Sequence, residues 1–431
     1  MAGKSELQYA GEYLLEKCSI LTVNGTELDI IPVVDEVFGA IQLQGDQAIQ
    51  AYSEKFDGYR PKRIEVDLAD LKTAQNELSA DLRDAIDKAF DNIYAFHKAQ
   101  QTNRIQLDVQ DGVSCWQEKR PIEKVGLYIP GGTAPLFSSV LMLAIPATIA
   151  GCREIVLCTP PNQSGQLAPA IRYAAYKCGV TRLFQVGGIQ AIGGMTFGTQ
   201  TIPKVYKILG PGNQYVTAAK QKATQYGVSI DMPAGPSELL VVADDTAVPS
   251  YVAADLLSQA EHGTDSQVVL VSTSQNTIEK VHEEVQKQLD VLPRKEIAAQ
   301  ALGNSISIYF AAESDAIDFI NEYGPEHYII CMANEDKFVK RVANAGSVFI
   351  GNFTPESAGD YASGTNHTLP TNGYAKQYSG VNLDSFLKAI TFQKISETGL
   401  KDLGPSIEIL ADAEGLYAHK NAVSLRLKDL T

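Results

Sequence analysis

The sequence holds six histidines, and four of them lie in segments crowded with glycine, carboxylate and amide side chains. These are His262 in Gln259-Ala-Glu-His262, His327 in Gly324-Pro-Glu-His327, His367 closing Pro355-Glu-Ser-Ala-Gly-Asp360-Tyr-Ala-Ser-Gly-Thr-Asn-His367, and His419, five residues after Glu414. Gln259 and His262 stand three apart at the end of a predicted helix, so both side chains can leave one face. Imidazole suits zinc, and an amide oxygen can complete such a site. A histidine near a helix C-terminus with Gly263 behind it also reads as a simple cap. Asp360 offers an oxygen to a hard or borderline cation, and His367 offers a ligand or a hydrogen-bond partner. Glu326 beside His327 supplies two bases of different intrinsic pKa, suited to moving protons to or from an alcohol or water. The plainer alternative is a Gly-Pro turn whose polar residues face solvent. The pair immediately precedes a predicted strand, a place where α/β sheets present catalytic groups. His97 and His282 sit in charged helical contexts and read as solvated helix faces.

Three glycine-rich turns form a second constellation: Tyr128-Ile-Pro-Gly131-Gly132-Thr133-Ala-Pro135, Gly187-Gly188-Ile-Gln190-Ala-Ile-Gly193-Gly194 and Gly210-Pro-Gly212-Asn213-Gln214. Each follows a predicted strand and opens a helix, so backbone N–H groups can meet a phosphate there. None is G-x-G-x-x-G, and no acidic residue stands at the ribose-binding distance behind one, which gives dinucleotide binding little support by pattern alone. Their grouping points to a shared ligand crevice.

The elements that must position these groups follow a βα rhythm from about residue 120. Apolar, β-branched runs predict strands at 125–129, 154–158, 183–186, 207–209, 239–243, 267–272, 305–310, 327–331 and 347–350. Helical periodicity predicts helices at 138–150, 214–225, 249–261, 277–289 and 312–322, and a mainly helical stretch at 65–100. So many strands imply two α/β domains on largely parallel sheets. Residues 351–378 read as a long ordered loop, which is usually functional. After about residue 380 only 400–414 reads as helix, and the tail looks too small to fold alone.

Composition narrows the class. The 431 residues are 45% hydrophobic and 20% charged, an ordinary globular balance, with a formal charge of −15 that disfavours nucleic acid and anionic membranes. No apolar run approaches the roughly 20 residues of a membrane span. The N-terminus has no signal-peptide core, and six cysteines without a CxxC pair read as reduced thiols, so a cytoplasmic protein is expected.

The segments Tyr128-Ile-Pro-Gly-Gly-Thr-Ala-Pro-Leu-Phe, Gly210-Pro-Gly-Asn-Gln-Tyr-Val, Asp231-Met-Pro-Ala-Gly-Pro-Ser-Glu238, Asp255-Leu-Leu-Ser-Gln-Ala-Glu-His-Gly263, Tyr323-Gly-Pro-Glu-His327, Ala345-Gly-Ser-Val-Phe, Glu356 to His367 and Ala418-His-Lys-Asn-Ala-Val423 together resemble the histidinol dehydrogenase family. The resemblance runs from about residue 120 to the C-terminus. It implies two incomplete Rossmann-like parallel-sheet domains with small N-terminal and C-terminal helical extensions. The boundaries are 1–24 for the N-terminal extension, 25–107 and 239–376 for a first α/β domain, 108–238 for the nucleotide-side domain, and 377–431 for an intersubunit tail. It implies two-step, NAD-dependent oxidation of L-histidinol to L-histidine through L-histidinal, with one zinc per subunit in a homodimer whose sites the neighbouring subunit completes. Carried over residue by residue, Gln259, His262, Asp360 and His419 match the zinc ligands, and Glu326 and His327 the acid–base pair. Ser237, His367 and Glu414 match substrate contacts, together with the zinc ligands and His327. Tyr128, Gln190 and Asn213 match the NAD contacts. A cysteine nucleophile, Cys115 or Cys152, is the rival route for the aldehyde step. A non-catalytic clamp for a metal–imidazole ligand would need the metal set but neither Glu326, His327 nor the nucleotide turns.

Overall fold

The computed structural model describes residues 30–131, 135–233 and 235–430. The proposed extension at 1–24 and residues 132–134 of the first glycine-rich turn lie outside them. Two compact units emerge: one runs up to Gln100 and resumes over Glu123–Phe386, and the other joins Gln101–Ile122 to the chain from Leu387 onward.

The first unit contains two sheets. One has the strand order Glu65–Val66, Arg182–Phe184, Glu154–Cys158, Lys124–Tyr128, Lys207–Leu209, Ser229–Ile230, parallel except at the first pairing. The other, wholly parallel, runs Ile306–Tyr309, Gln267–Ser272, Glu238–Ala243, His327–Cys331, Ser347–Ile350. Its central strand shows why the sequence folds this way. All six residues of Glu-Leu-Leu-Val-Val-Ala are buried, as a strand with helices on both faces requires. Leu239 and Val241 pack on one side with Val252, Leu256 and Val281, while Leu240 and Val242 pack on the other with Ile317, Phe319 and Phe338. All nine strands expected between 120 and 350 are present, with ends shifted by up to two residues.

The grouping of residues 25–107 with 239–376 does not agree with the strand pairing. Glu65 and Val66 pair with Phe184 and Leu183, so this region builds on the nucleotide-side sheet. Val34, Val37, Phe38, Ile41 and Ile49 share that sheet's core with Ile189 and Ile192. His97 also departs from expectation, being completely buried on the helix Ala80–Ala99. Its Nδ1 bonds Ile93 O at 2.9 Å and its Nε2 meets Asn366 Nδ2 at 3.3 Å. The loop at 351–378 contains a short helix, Glu356–Tyr361.

The second unit contains an element that the sequence reading lacks, a three-stranded antiparallel sheet. Val113–Pro121 lies at its centre, between Leu387–Ile395 and the edge strand Ile105–Gln110. Trp116 and Phe392 stack across it at 5.3 Å. The helices Glu397–Ala413 and Tyr417–Asp429 complete the unit, so the tail adds one strand and two helices to a strand pair from 105–121. Among the described residues no helix is long and apolar enough to cross a membrane.

Candidate active site

Glu326 and His327 are placed by a helix that stops on cue. Gly324 takes the left-handed conformation (φ 61°) that ends the helix Glu313–Tyr323, Pro325 prevents its resumption, and the chain turns directly into the strand His327–Cys331. The backbone of Gly346 lies so close that a Cβ there would come 2.5 Å from Glu326 O. The pair therefore sits at the amino end of the second sheet, whereas ligands of open α/β sheets usually bind at the carboxyl ends. What faces it is the carboxyl edge of the first sheet. Ser139, in the first turn of the helix that follows Tyr128, bonds His367 Nε2 at 3.1 Å, and His367 Nδ1 bonds Asp360 O at 2.9 Å.

Around His327 the chain assembles a dense set of carboxyl groups. Its Nδ1 lies 3.7 Å from Glu326 Oε2 and 3.6 Å from Glu356 Oε1, and its Nε2 lies 3.5 Å from Asp360 Oδ1. Glu356 and Asp360 stand four apart on the helix Glu356–Tyr361 and so share a face. Glu238 N donates to Glu326 Oε2 at 2.8 Å, and Ser258 Oγ donates to Glu356 Oε2 at 2.8 Å. Burial lifts the Glu326 carboxyl to about 8 and that of Glu356 to about 7. For His327 burial opposes the cation, but the carboxylates of Glu326, Asp360 and Glu356 outweigh it and lift the imidazole to about 10. Burial also opposes ionisation of Asp360, yet His327, His367 and His262 together hold it below the ordinary carboxylate range.

Several buried polar atoms here have no partner: both amide atoms of Gln259, Nε2 of His327 and Oε1 of Glu356. Orphans like these are costly, and three carboxyl groups packed about one imidazole make a pocket suited to a cation. His327, Glu356 and Asp360 offer ligand atoms within 4.8 Å of one another. This trio shares only Asp360 with the expected zinc set. Gln259 is buried in the last turn of the helix Pro249–Ala260. His262 lies past the helix end, so the two do not share a helical face, and Gly263 is not among the left-handed glycines that a cap would need. Desolvation holds the His262 imidazole below its ordinary range, against the pull of Asp360. Ser237 is half-buried just before Glu238. Glu414 and His419 belong to the second unit, where both are exposed and the helix break at Gly415 separates them.

The nucleotide-side residues gather at strand ends of the first sheet. Tyr128 is buried, and its hydroxyl accepts from Gly188 N at 3.0 Å. Gln190 is buried two residues further along that turn. Asn213 caps the helix Gln214–Thr224, its Oδ1 accepting from Tyr215 N and Val216 N. Sequence reasoning missed Glu356, although its spacing of four from Asp360 was visible. It also missed Asp57, whose Oδ2 accepts from Gln190 Nε2 at 2.8 Å.

Two largely parallel sheets that meet at a buried carboxylate–imidazole cluster, with glycine-rich strand ends opposite, define an α/β protein whose cluster can take a cation. A family model described as histidinol dehydrogenase matches residues 23–427. The histidinol dehydrogenase of Bacteroides thetaiotaomicron is 54% identical over 401 residues, spanning 93% of this chain and 94% of that protein. The chloroplastic histidinol dehydrogenase of Arabidopsis thaliana is 51% identical over 404 residues, 93% of this chain and 86% of that one. A crystal structure of histidinol dehydrogenase from Elizabethkingia anophelis matches with a TM-score of 0.93 at 53% identity, covering 97% of this chain and 96% of that one. The chain belongs to the histidinol dehydrogenase family, the oxidoreductases of histidine biosynthesis.

Proposed function

We propose that this protein oxidises L-histidinol to L-histidine in two successive hydride transfers to NAD, through L-histidinal that stays bound. The observation that carries the reading is the buried Glu326–His327 pair set beside the orphaned amide of Gln259 and the carboxylate of Asp360. The reacting form carries a neutral His327 and an ionised Glu326, a state that a cation held in the pocket would favour by repelling the imidazolium and attracting the carboxylate. In the first step His327 Nε2 takes the hydroxyl proton as hydride leaves the alcohol carbon. The aldehyde then needs a nucleophile before it can release a second hydride. Glu326, as carboxylate, takes a proton from water that adds to the carbonyl, while His327 returns its proton to the carbonyl oxygen. The resulting diol gives up hydride to a second NAD and a proton to the now neutral His327. Cys152 does not suit the rival thiohemiacetal route, because burial pushes its thiol up to about 12.

Gln259, His262 and Asp360 would hold a zinc ion, with His419 of a neighbouring copy as the fourth ligand. When bound, zinc supplies a fixed positive charge that orients the imidazole and amine of the substrate. His367, Ser237 and Glu414 then serve as substrate contacts, and Tyr128, Gln190 and Asn213 as NAD contacts. Exposed apolar side chains in the second unit support a homodimer. Ile105, Leu107 and Val109 alternate along an edge strand at 67%, 60% and 55% exposure, and Leu410 and Tyr417 are exposed on the helical side. A cytoplasmic location is part of the same proposal, supported by cysteines that read as reduced thiols.

The decisive measurement is the ratio of NADH formed to L-histidinol consumed by enzyme purified without chelator. Two equivalents, with about one zinc per chain, are expected. One equivalent with free aldehyde, or full activity without metal, would reject the reading.

A further inference from the structure

The glycine-rich turn at 187–194 has no acidic residue behind it in sequence, yet the fold brings one to it. Asp57 is the last residue of the helix Asp46–Asp57 and lies 133 positions from Gln190. A carboxylate only accepts hydrogen bonds, so its 2.8 Å bond to Gln190 Nε2 fixes the amide, with Nε2 toward Asp57 and Oε1 turned away. Gln190 is completely buried, and its Oε1 has no partner. That oxygen lies against the turn, because a Cβ added to Gly188 would come 3.0 Å from it. The adjacent Gly188 N–H is already taken by the Tyr128 hydroxyl. What remains is a desolvated acceptor held in place by a carboxylate, at the carboxyl edge of a parallel sheet. It calls for a ligand O–H or N–H. A phosphate brings only acceptors and negative charge, and would meet a carbonyl oxygen backed by an anion.

We propose that Asp57, acting through Gln190, makes this turn a subsite for a ribose hydroxyl of the adenosine half of NAD, and that it rejects the 2′-phosphate of NADP. The inference rests on the NAD reading above. Asp57 is a positioning residue here, since Gln190 makes the contact. Burial raises the Asp57 carboxyl to about 6, with the Gln190 bond opposing, so it still carries its charge at neutral pH. Tyr128, the titratable neighbour on the strand packed against it, stays protonated, because burial pushes its hydroxyl up and the Asp57 charge adds to that.

Two measurements on the full-length enzyme test this. One is kcat/KM with L-histidinol for NAD and for NADP. The other is calorimetric binding of ADP-ribose and its 2′-phosphate in the absence of substrate. The wild type should favour NAD and ADP-ribose by about a hundredfold or more. Asp57→Asn should narrow both preferences by about tenfold or more through KM and Kd, with kcat for NAD within about twofold. Asp57→Glu, which keeps the charge, should retain most of the preference. An unchanged preference in folded Asp57→Asn overturns the proposal. So does equal affinity of the wild type for the two ADP-ribose probes, which needs no variant. Turnover with neither cofactor would reject the NAD reading itself, whereas equal turnover with both would reject only the subsite.

Discussion

Replacing Glu326 with Gln keeps the shape of the side chain and removes the carboxylate proposed to take a proton from water. Histidinal oxidation should then fall by about 10²-fold or more, while the alcohol step falls much less, as single-turnover kinetics with each substrate would show. Cys152→Ser should leave both steps within about twofold, since a thiol with a pKa near 12 is no nucleophile at neutral pH. The reverse pattern would favour the thiohemiacetal route. Asp57 yields a pH prediction. Its folded pKa of about 6 lies above the ordinary value of about 4, so the folded state binds more protons than the unfolded state between those limits. Stability present below about pH 4 is therefore lost as pH rises through about 6, and stays level above. Thermal melts of wild type and Asp57→Asn should diverge across that window by roughly 1 kcal/mol in favour of the variant, after allowing for water at a half-buried site. No divergence would mean that the carboxyl titrates normally. Residues such as Glu326 and His327 were legible because histidine is scarce here and their polar neighbours stand out. Asp57 was not, because nothing in local spacing ties it to Gln190. His97 could have been read correctly: Ile86, Ala89, Ile93 and His97 recur at intervals of three and four, and all four are buried.

At the scale of elements, the site depends on how tightly the strand end at Glu326 is held. A Cβ at Gly346 would lie 2.5 Å from a backbone oxygen, which cannot swing aside as a side chain can. Gly346→Ala should lower stability by about 1–3 kcal/mol and reduce kcat while leaving KM for NAD nearly unchanged, as denaturation and steady-state kinetics would reveal. A variant with wild-type kinetics would show that the turn has slack. The parallel strands were legible because each is an apolar run with helices on both faces, as in Glu238–Ala243. The antiparallel sheet was not. Val113–Pro121 and Leu387–Ile395 carry charged residues and are mostly half-buried or exposed, which blurs the alternation. Their pairing of Val113 with Ile395 is also far too distant to read from local pattern. The amino-end position of Glu326 and His327 was equally hidden, because it depends on which sheet edge they face.

For the whole molecule, the question is where His419 acts. It is exposed, on the helix Tyr417–Asp429 of the second unit, while Gln259, His262 and Asp360 lie in the first. If sites are shared between copies, a mixture of His262→Asn and His419→Asn chains forms heterodimers in which one site carries both defects and the other carries neither. Partial recovery of activity after subunit exchange is the expected outcome. No recovery, with heterodimers confirmed by mass, would mean that each chain completes its own site. The antiparallel sheet also has a consequence during synthesis. Its central strand leaves the ribosome early, but Leu387–Ile395 follows only after roughly 270 more residues, on the order of 15–55 s of translation. Through that interval one edge of Val113–Pro121 lacks its final neighbour while the first unit can already fold. The part of the chain that carries His419 is therefore the last to close, and a nascent chain stalled before residue 395 would expose an unpaired strand edge.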